Sequence, residues 1–305
     1  MGTMKAETLH AHLCDRHPEL SGEPYRVLSS TMQNLVIVVG ERLVFRFPLT
    51  SDHASLLLEM KLLPKLGKHL PLPVPDFLYT SGRKDKIVYV GYPMIPGIPL
   101  EKELLAKFDD SRKKAAARQI ADFLTALHQF TGDSMTRVDP RGFRDEWRKT
   151  WSGYYRAMEQ TVFPHLNRKQ KLWIMQVFYD YLYPSGHFKF TPCLLHSDFK
   201  NDHIFHDPKT GKLTGVIDFG LLRMGDPAYD FHDLCLSYGE TFTRMVLDHY
   251  GGPADRTFEQ RITRFYAYIL RFSSMLHAVQ AKDWNKLALR MEWLNEKGRE
   301  WDDEV

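Results

Sequence analysis

One stretch limits what this chain can become more than any other. It runs from His196-Ser197-Asp198-Phe199-Lys200-Asn201-Asp202-His203 to Ile217-Asp218-Phe219-Gly220. Two apolar runs, Cys193 to Leu195 and Val216 to Ile217, have the length of buried strands, and each delivers an aspartate at its end. Between them lies a third short run, Ile204-Phe205. The turn that follows, Asp207 to Lys212, has the Pro, Thr and Gly that suit a hairpin. A small sheet is therefore expected to present Asp198, His203 and Asp218 close together. Phosphoryl transfer needs an acceptor for a hydroxyl proton, a divalent metal and positive charge. Asp198, between a strand and an irregular loop, suits the first role. Asp218 suits the metal, because Mg2+ prefers carboxylate oxygen. His203 is the second metal-site group or, since imidazole is a poorer partner for a hard cation, orients a water or a phosphate.

The chain before this stretch reads as a nucleotide-binding half. Lys5 to Arg16 predicts a short packed helix ended by Pro18. Tyr25–Leu28, Leu35–Val39 and Arg42–Phe47 are β-rich, the last two joined at Gly40-Glu41 as a hairpin. The connection Ser29 to Asn34 stands where a loop would cover phosphates, with Ser30 the candidate donor; it has no glycine and also reads as an ordinary polar turn. Arg46 on the third strand and Glu59 on the helical run Ala54 to Leu66 form a cation–carboxylate pair of the kind that positions α- and β-phosphates. Read without the downstream motif, they are a surface Arg and a surface Glu. Leu70 to Pro75 is a stiff connector. A strand at Ile87 to Gly91 leads into Tyr92-Pro93-Met94-Ile95-Pro96-Gly97-Ile98-Pro99, the expected hinge, where Tyr92, Pro93, Met94 and Ile95 would border the base.

The remainder reads as helical. Ser111 to Phe130 is a long helix with a buried face, Trp147 to Tyr183 is most simply two antiparallel helices, and further helices are expected over Asp230–Glu240, Phe258–Gln280 and Trp284–Trp301. A chain of 305 residues can bury a large core, as one domain or two lobes. Its net charge of +3 leaves no nucleic-acid footprint. Three distant cysteines argue against a disulfide framework or a zinc site, and no apolar run is long enough to span a membrane. No signal peptide is read at the N-terminus, so a cytoplasmic, monomeric protein with no nucleic-acid or membrane partner is expected.

His196-x-Asp198, the five-residue step to His203, Ile217-Asp218-Phe219-Gly220 and Gly225-Asp226-Pro227-Ala228-Tyr229-Asp230 together resemble the aminoglycoside phosphotransferase family, antibiotic kinases built on the protein-kinase fold. The resemblance is nearest the 2″-type aminoglycoside kinases, which share His at position 203 with the macrolide kinases. It implies a two-lobed α+β fold. A small β-rich N-terminal lobe would cover residues 1–96, ending in the hinge. A larger helical lobe would cover residues 97–305, with a substrate-side insertion at about 141–184. It also implies Asp198 as catalytic base, Asp218 as metal ligand, and His196, Asp226 and Asp230 as supports of the catalytic loop. The implied reaction moves the γ-phosphoryl group of GTP or ATP, with Mg2+, to a hydroxyl of an aminoglycoside. Asp233 and Glu240 would meet the acceptor's ammonium groups. Tyr92 resembles the bulky residue that favours guanine over adenine. This chain departs from the family's pattern at Arg46, where Lys is usual and the point charge becomes a planar fork. It departs again at Leu221-Leu222, an apolar rim that suits a macrolide. Only Leu221 to Met224 separate Phe219-Gly220 from Gly225-Asp226, too few for the segment that docks peptides, so a small-molecule acceptor is expected. A choline or sugar kinase and a non-catalytic nucleotide-binding module are the remaining readings.

Overall fold

The computed structural model describes residues 6–31, 33–50, 53–82, 85–132 and 139–303. Contacts divide them into two compact units. One comprises the chain up to Gln119 together with Asn201–Leu222, the other Ile120–Lys200 together with the chain from Arg223 onward.

The first unit begins with α1 (Ala6–Arg16), followed by β1 (Tyr25–Ser30), β2 (Asn34–Val39) and β3 (Leu43–Pro48). Helix α2 (Ala54–Leu66), β4 (Tyr79–Thr80), β5 (Val90–Pro93) and β6 (Ile98–Pro99) come next. Strands β1, β2, β3, β5 and β4 pair in that order into one antiparallel sheet. The period of two decides its faces. Leu35, Ile37 and Val39 on β2, and Leu43, Phe45 and Phe47 on β3, pack with Leu9, Leu13 and Leu20 into a core. Arg46, one residue out of that register, points to the opposite face. Gly40 and Glu41 both have positive φ, 60° and 52°, but Val39 pairs with Leu43, so the turn takes in Arg42 as a third residue rather than the two expected. The strand expected at Ile87–Gly91 lies slightly later, at β5. Gly91 sits where a Cβ would stand 2.4 Å from the Phe45 ring, so the sheet closes over Phe45 only because that position has no side chain.

Helix α3 (Lys102–Ala106), a short turn not foreseen, precedes α4 (Asp110–His128), whose first half belongs to this unit. Strands β8 (Ile204–His206) and β9 (Leu213–Val216) form the expected hairpin, and β6 adds to its edge. Asp207 tightens the turn by accepting from the Lys209 N–H and the Thr210 hydroxyl. The run expected as a hinge is seated on this hairpin. The Val216 N–H donates to the Pro73 carbonyl at 2.9 Å, and a Cβ on Gly215 would come within 2.7 Å of both Ile95 and Pro73.

The second unit is mainly helical. It holds the rest of α4, then α5 (Pro140–Thr161), α6 (Arg168–Leu182), and the paired strands β7 (Cys193–Leu195) and β10 (Arg223–Gly225). After them come α7 (His232–Tyr238), α8 (Glu240–Leu247), α9 (Phe258–Arg261), α10 (Ala267–Gln280) and α11 (Trp284–Asp303). The two helices expected from the aromatic segment are α5 and α6, and both starts are chemically marked. Asp139 caps α5 by accepting from the Arg141 and Gly142 amides, and Asn167 and Gln170 form a reciprocal capping box on α6. Two expected helices are broken. The run Asp230–Glu240 is a 3-10 turn over Pro227–Phe231 and then α7, which stops at Gly239, φ +85°, before α8. The run Phe258–Gln280 contains a π turn at Ile262–Tyr266. Among the described residues no helix is long and apolar enough to cross a membrane.

Candidate active site

On the first unit, β3 carries Arg46 and α2 carries Glu59, which is 1% exposed. They form a close ion pair. Burial pushes the Glu59 carboxyl up against the pull of Arg46. Burial likewise opposes the Arg46 charge, but Glu59 and then Asp218 hold it on. The second guanidinium nitrogen, Nη1, lies 3.4 Å from Asp218 Oδ1, and His203 Nε2 lies 3.5 Å from Asp218 Oδ2. Asp218 follows β9 with φ +65°, a rare backbone for a residue with a Cβ. Its side chain remains 45% exposed between one cation and one imidazole. Backbone strain of this kind collects at functional sites and persists only where the surroundings fix it. Here the Ile217 N–H donates to the His203 carbonyl at 3.0 Å and ties the two residues.

The residues expected at the edge of a nucleotide lie on the same unit. Tyr92 on β5 is half-buried beside Phe77, its phenol pushed up to about 12 by burial. Pro93 ends β5, the Met94 N–H donates to the Arg42 carbonyl at 2.8 Å, and Ile95 is buried. Ser30 is exposed at the end of β1 and pairs with Leu35. In the turn beyond it, Thr31 Oγ1 accepts from the Gln33 and Asn34 amides; Met32 falls outside the described residues. Of the two leucines expected to make an apolar rim, Leu221 is exposed and Leu222 is buried.

On the second unit, Asp198 follows β7 through Ser197, which has φ +67°. The Asp198 N–H donates to His196 Nδ1 at 3.3 Å, and Lys200 Nζ lies 3.3 Å from Asp198 Oδ2. The backbone beneath is clamped by Asp230, which is 1% exposed. It accepts from the Ser197 N–H at 2.7 Å and from the His196 N–H at 2.8 Å. Burial works against the Asp230 charge. The hydrogen bond and charge of His128, with the His196 amide, outweigh it and hold the carboxyl below its usual range. His128 Nε2 is 3.1 Å from Asp230, and its Nδ1 exchanges a hydrogen bond with the Tyr250 hydroxyl at 2.6 Å.

Asp226 bonds elsewhere. Its carboxylate takes Arg261 Nε at 2.6 Å and Nη2 at 3.0 Å, the Tyr266 hydroxyl at 2.9 Å and the Ala228 N–H at 3.1 Å. Arg261 is fully buried and also bonds both oxygens of Asp255. The π turn explains the pairing. Five residues along an α-helix point about 140° apart, whereas an i to i+5 turn brings Arg261 and Tyr266 towards one carboxylate. Asp233 is 3% exposed, its carboxyl pushed up by burial, drawn back by His232 and pushed further by the charge of Asp198. Glu240 is exposed at the start of α8.

A model of the phosphotransferase enzyme family matches residues 24–268. The chain is 27% identical to viomycin phosphotransferase of Streptomyces vinaceus over 204 residues, 65% of this chain and 67% of that one. It superposes with a TM-score of 0.85, at 26% identity over 97% of this chain and 99% of the other, on the GDP complex of aminoglycoside 2'-phosphotransferase-IIIa. The GDP and kanamycin complex of APH(2")-IIia gives a TM-score of 0.83 at 27% identity, over 94% and 97% of the two chains. An antiparallel N-terminal sheet, a helical C-terminal region and a family match over most of the length lead to one conclusion: the fold is protein-kinase-like, and the chain belongs to the phosphotransferase enzyme family.

Proposed function

We propose that the protein moves the γ-phosphoryl group of GTP or ATP to a hydroxyl of an aminoglycoside. The observation that carries this reading is Asp218, held at positive φ and half-exposed between Arg46 and His203. A carboxylate in that setting has no packing role and suits a cation shared with phosphate. The donor set fits Mg2+, which binds through one or two protein groups and keeps its other positions for water and phosphate oxygens. Asp218, with His203 beside it, would hold the metal, which would supply positive charge against the phosphates. Arg46, anchored by Glu59, would fork onto the α- and β-phosphates, with Ser30 a further donor. Tyr92, Pro93, Met94 and Ile95 would border the base.

Asp198 takes the proton of the acceptor hydroxyl as its oxygen bonds to the γ-phosphorus. The bond from that phosphorus to the bridging oxygen breaks, and the nucleoside diphosphate leaves with the electron pair. His196 and Asp230 fix the backbone that aims Asp198. Asp233 and Glu240 would meet ammonium groups of the acceptor. Relatives solved with GDP, one of them also with kanamycin, favour GTP and an aminoglycoside. A macrolide is the second reading, and exposed Leu221 supports it, although Leu222 is turned inward.

Mass spectrometry of aminoglycosides, macrolides, choline and simple sugars after incubation with Mg2+ and GTP or ATP tests the reading. A phosphorylated aminoglycoside that depends on Asp198 is expected. Product only with a macrolide would replace the acceptor, and nucleotide binding with no product from any acceptor would replace the enzyme by a binding module.

A further inference from the structure

The second unit carries a charged side chain that the reaction above does not use. Arg223 opens β10, opposite Leu195 on β7, and its Nε–H donates to the Ser197 hydroxyl at 3.1 Å. Aromatic rings hold the guanidinium. Its carbon lies 4.6 Å from the centre of the Tyr229 ring and 5.3 Å from that of Trp147. Trp147 is itself fixed, its indole N–H donating to the Tyr266 hydroxyl at 3.0 Å. Arg223 and Gly225 share one face of the strand. A Cβ on Gly225 would stand 2.3 Å from Leu195 and 2.9 Å from Trp147, so the missing side chain lets Trp147 close on the strand beside the arginine.

Ser197 is what this arrangement grips. Its φ of +67° lies where glycine is at ease and a residue with a Cβ is strained. Such backbone persists only where its surroundings over-determine it, and a serine there is explained by what its hydroxyl does. The Ser197 N–H donates to Asp230 at 2.7 Å, and the hydroxyl accepts from Arg223. Two anchors, from η5 after β10 and from β10 itself, thus hold the residue that leads into Asp198. We propose that Arg223 is a positioning residue for the proton acceptor: its Nε–H on the Ser197 hydroxyl fixes the strained turn that aims Asp198. Its meaning for turnover rests on the phosphoryl transfer proposed above, with Asp198 as the base. The ε nitrogen matters here, and not the charge. A cation acting on phosphate could be a lysine. A donor acting on Ser197 could not, because lysine has a methylene at the ε position, whereas glutamine has an N–H donor there.

Steady-state kinetics of Arg223→Ala, Arg223→Lys and Arg223→Gln test this, together with hydrogen–deuterium exchange over the peptide 195–200. A misplaced catalytic group costs up to about 10²-fold, so kcat in the Ala and Lys variants should fall about tenfold or more, with the KM for nucleotide unchanged. The Gln variant should keep kcat within about threefold of the parent, since a neutral donor replaces a charged one. Exchange over 195–200 should quicken in the Ala and Lys variants and stay at the parent rate in the Gln variant. Ser197→Gly separates aim from folding. It should melt close to the parent, because relief of the φ strain offsets the lost hydrogen bond, yet lose kcat as Arg223→Ala does. Adding Arg223→Ala to it should lower kcat no further. Turnover kept by lysine and lost by glutamine would give the charge a direct role and overturn the proposal, as would additive losses in the double variant. If the parent itself transfers no phosphate, the reading of the function fails and exchange alone decides. Exchange unchanged in Arg223→Ala would then overturn the positioning, and exchange quickened in the Ala and Lys variants but not in the Gln variant would uphold it.

Discussion

Asp218 on the first unit and Asp226 and Asp230 on the second are held in opposite ways. On the first, Asp218 is half-exposed and shared between Arg46 and His203, with only Glu59 fully buried beneath. On the second, Asp230 and Asp226 are buried and bonded to backbone amides, His128, Arg261 and Tyr266. An arrangement of the first kind leaves charge for a ligand to complete. One of the second kind is satisfied without a ligand and fixes backbone in advance, which is what aiming a proton acceptor requires.

The largest effect expected from this contrast is on stability. Asp226→Ala leaves the Arg261 guanidinium buried with only Asp255 as a charged partner, and should cost about 3–5 kcal/mol in chemical denaturation. If the loss is within the range of a surface substitution, the second unit is not the rigid half.

Asp230 ranks next and carries a pH signature. Its carboxyl is depressed in the folded state, so its contribution is complete above about pH 4, the ordinary carboxylate value, and is lost as pH falls through the depressed one. Asp230→Asn should cost about 1–3 kcal/mol at neutral pH, because an amide nitrogen cannot accept from the loop. Its denaturation midpoint should also fall less steeply in acid than that of the parent.

On the first unit the expected losses are in binding. Arg46→Lys keeps a cation beside Glu59 but gives up the second arm of the fork, and one charge-assisted bond to phosphate is worth about 1.5–3 kcal/mol. The KM for nucleotide should rise about tenfold or more, with stability little changed, as steady-state kinetics and thermal melts would show. Tyr92→Phe is the smallest change. The raised phenol favours the fold below its ordinary value near pH 10, and that contribution is lost as pH climbs towards about 12. The variant should melt like the parent at neutral pH and show a flatter decline in alkali.

The first unit was the more legible from sequence. Arg46, Glu59 and Asp218 lie in short runs whose period of two or of helical turns fixes which side each residue faces, and the hairpins β2–β3 and β8–β9 carry their turn residues openly. Much of the second unit was hidden because its partners are distant in sequence. Arg261 sits in a run that reads as plain helix, and nothing local says that it is buried against Asp226 and Asp255. His128 ends a helix that reads as core, and its bond to Asp230 spans an interval that no spacing rule reaches. Gly239 was a readable helix stop. The π turn was not, since apolar periodicity continues through it.

On the proposed function the two units divide the labour: the first would hold nucleotide and metal, and the second would deliver the proton acceptor. Nucleotide affinity by calorimetry with Mg2+, paired with turnover, for Asp198→Asn and Asp218→Asn tests it most directly. The Asp198 variant should bind nucleotide as the parent does and lose about 10²–10⁴-fold in turnover, the usual worth of a general base. The Asp218 variant should lose the Mg2+-dependent part of binding as well. Turnover near the parent's in the Asp198 variant, or unchanged Mg2+-dependent binding in the Asp218 variant, would contradict the account.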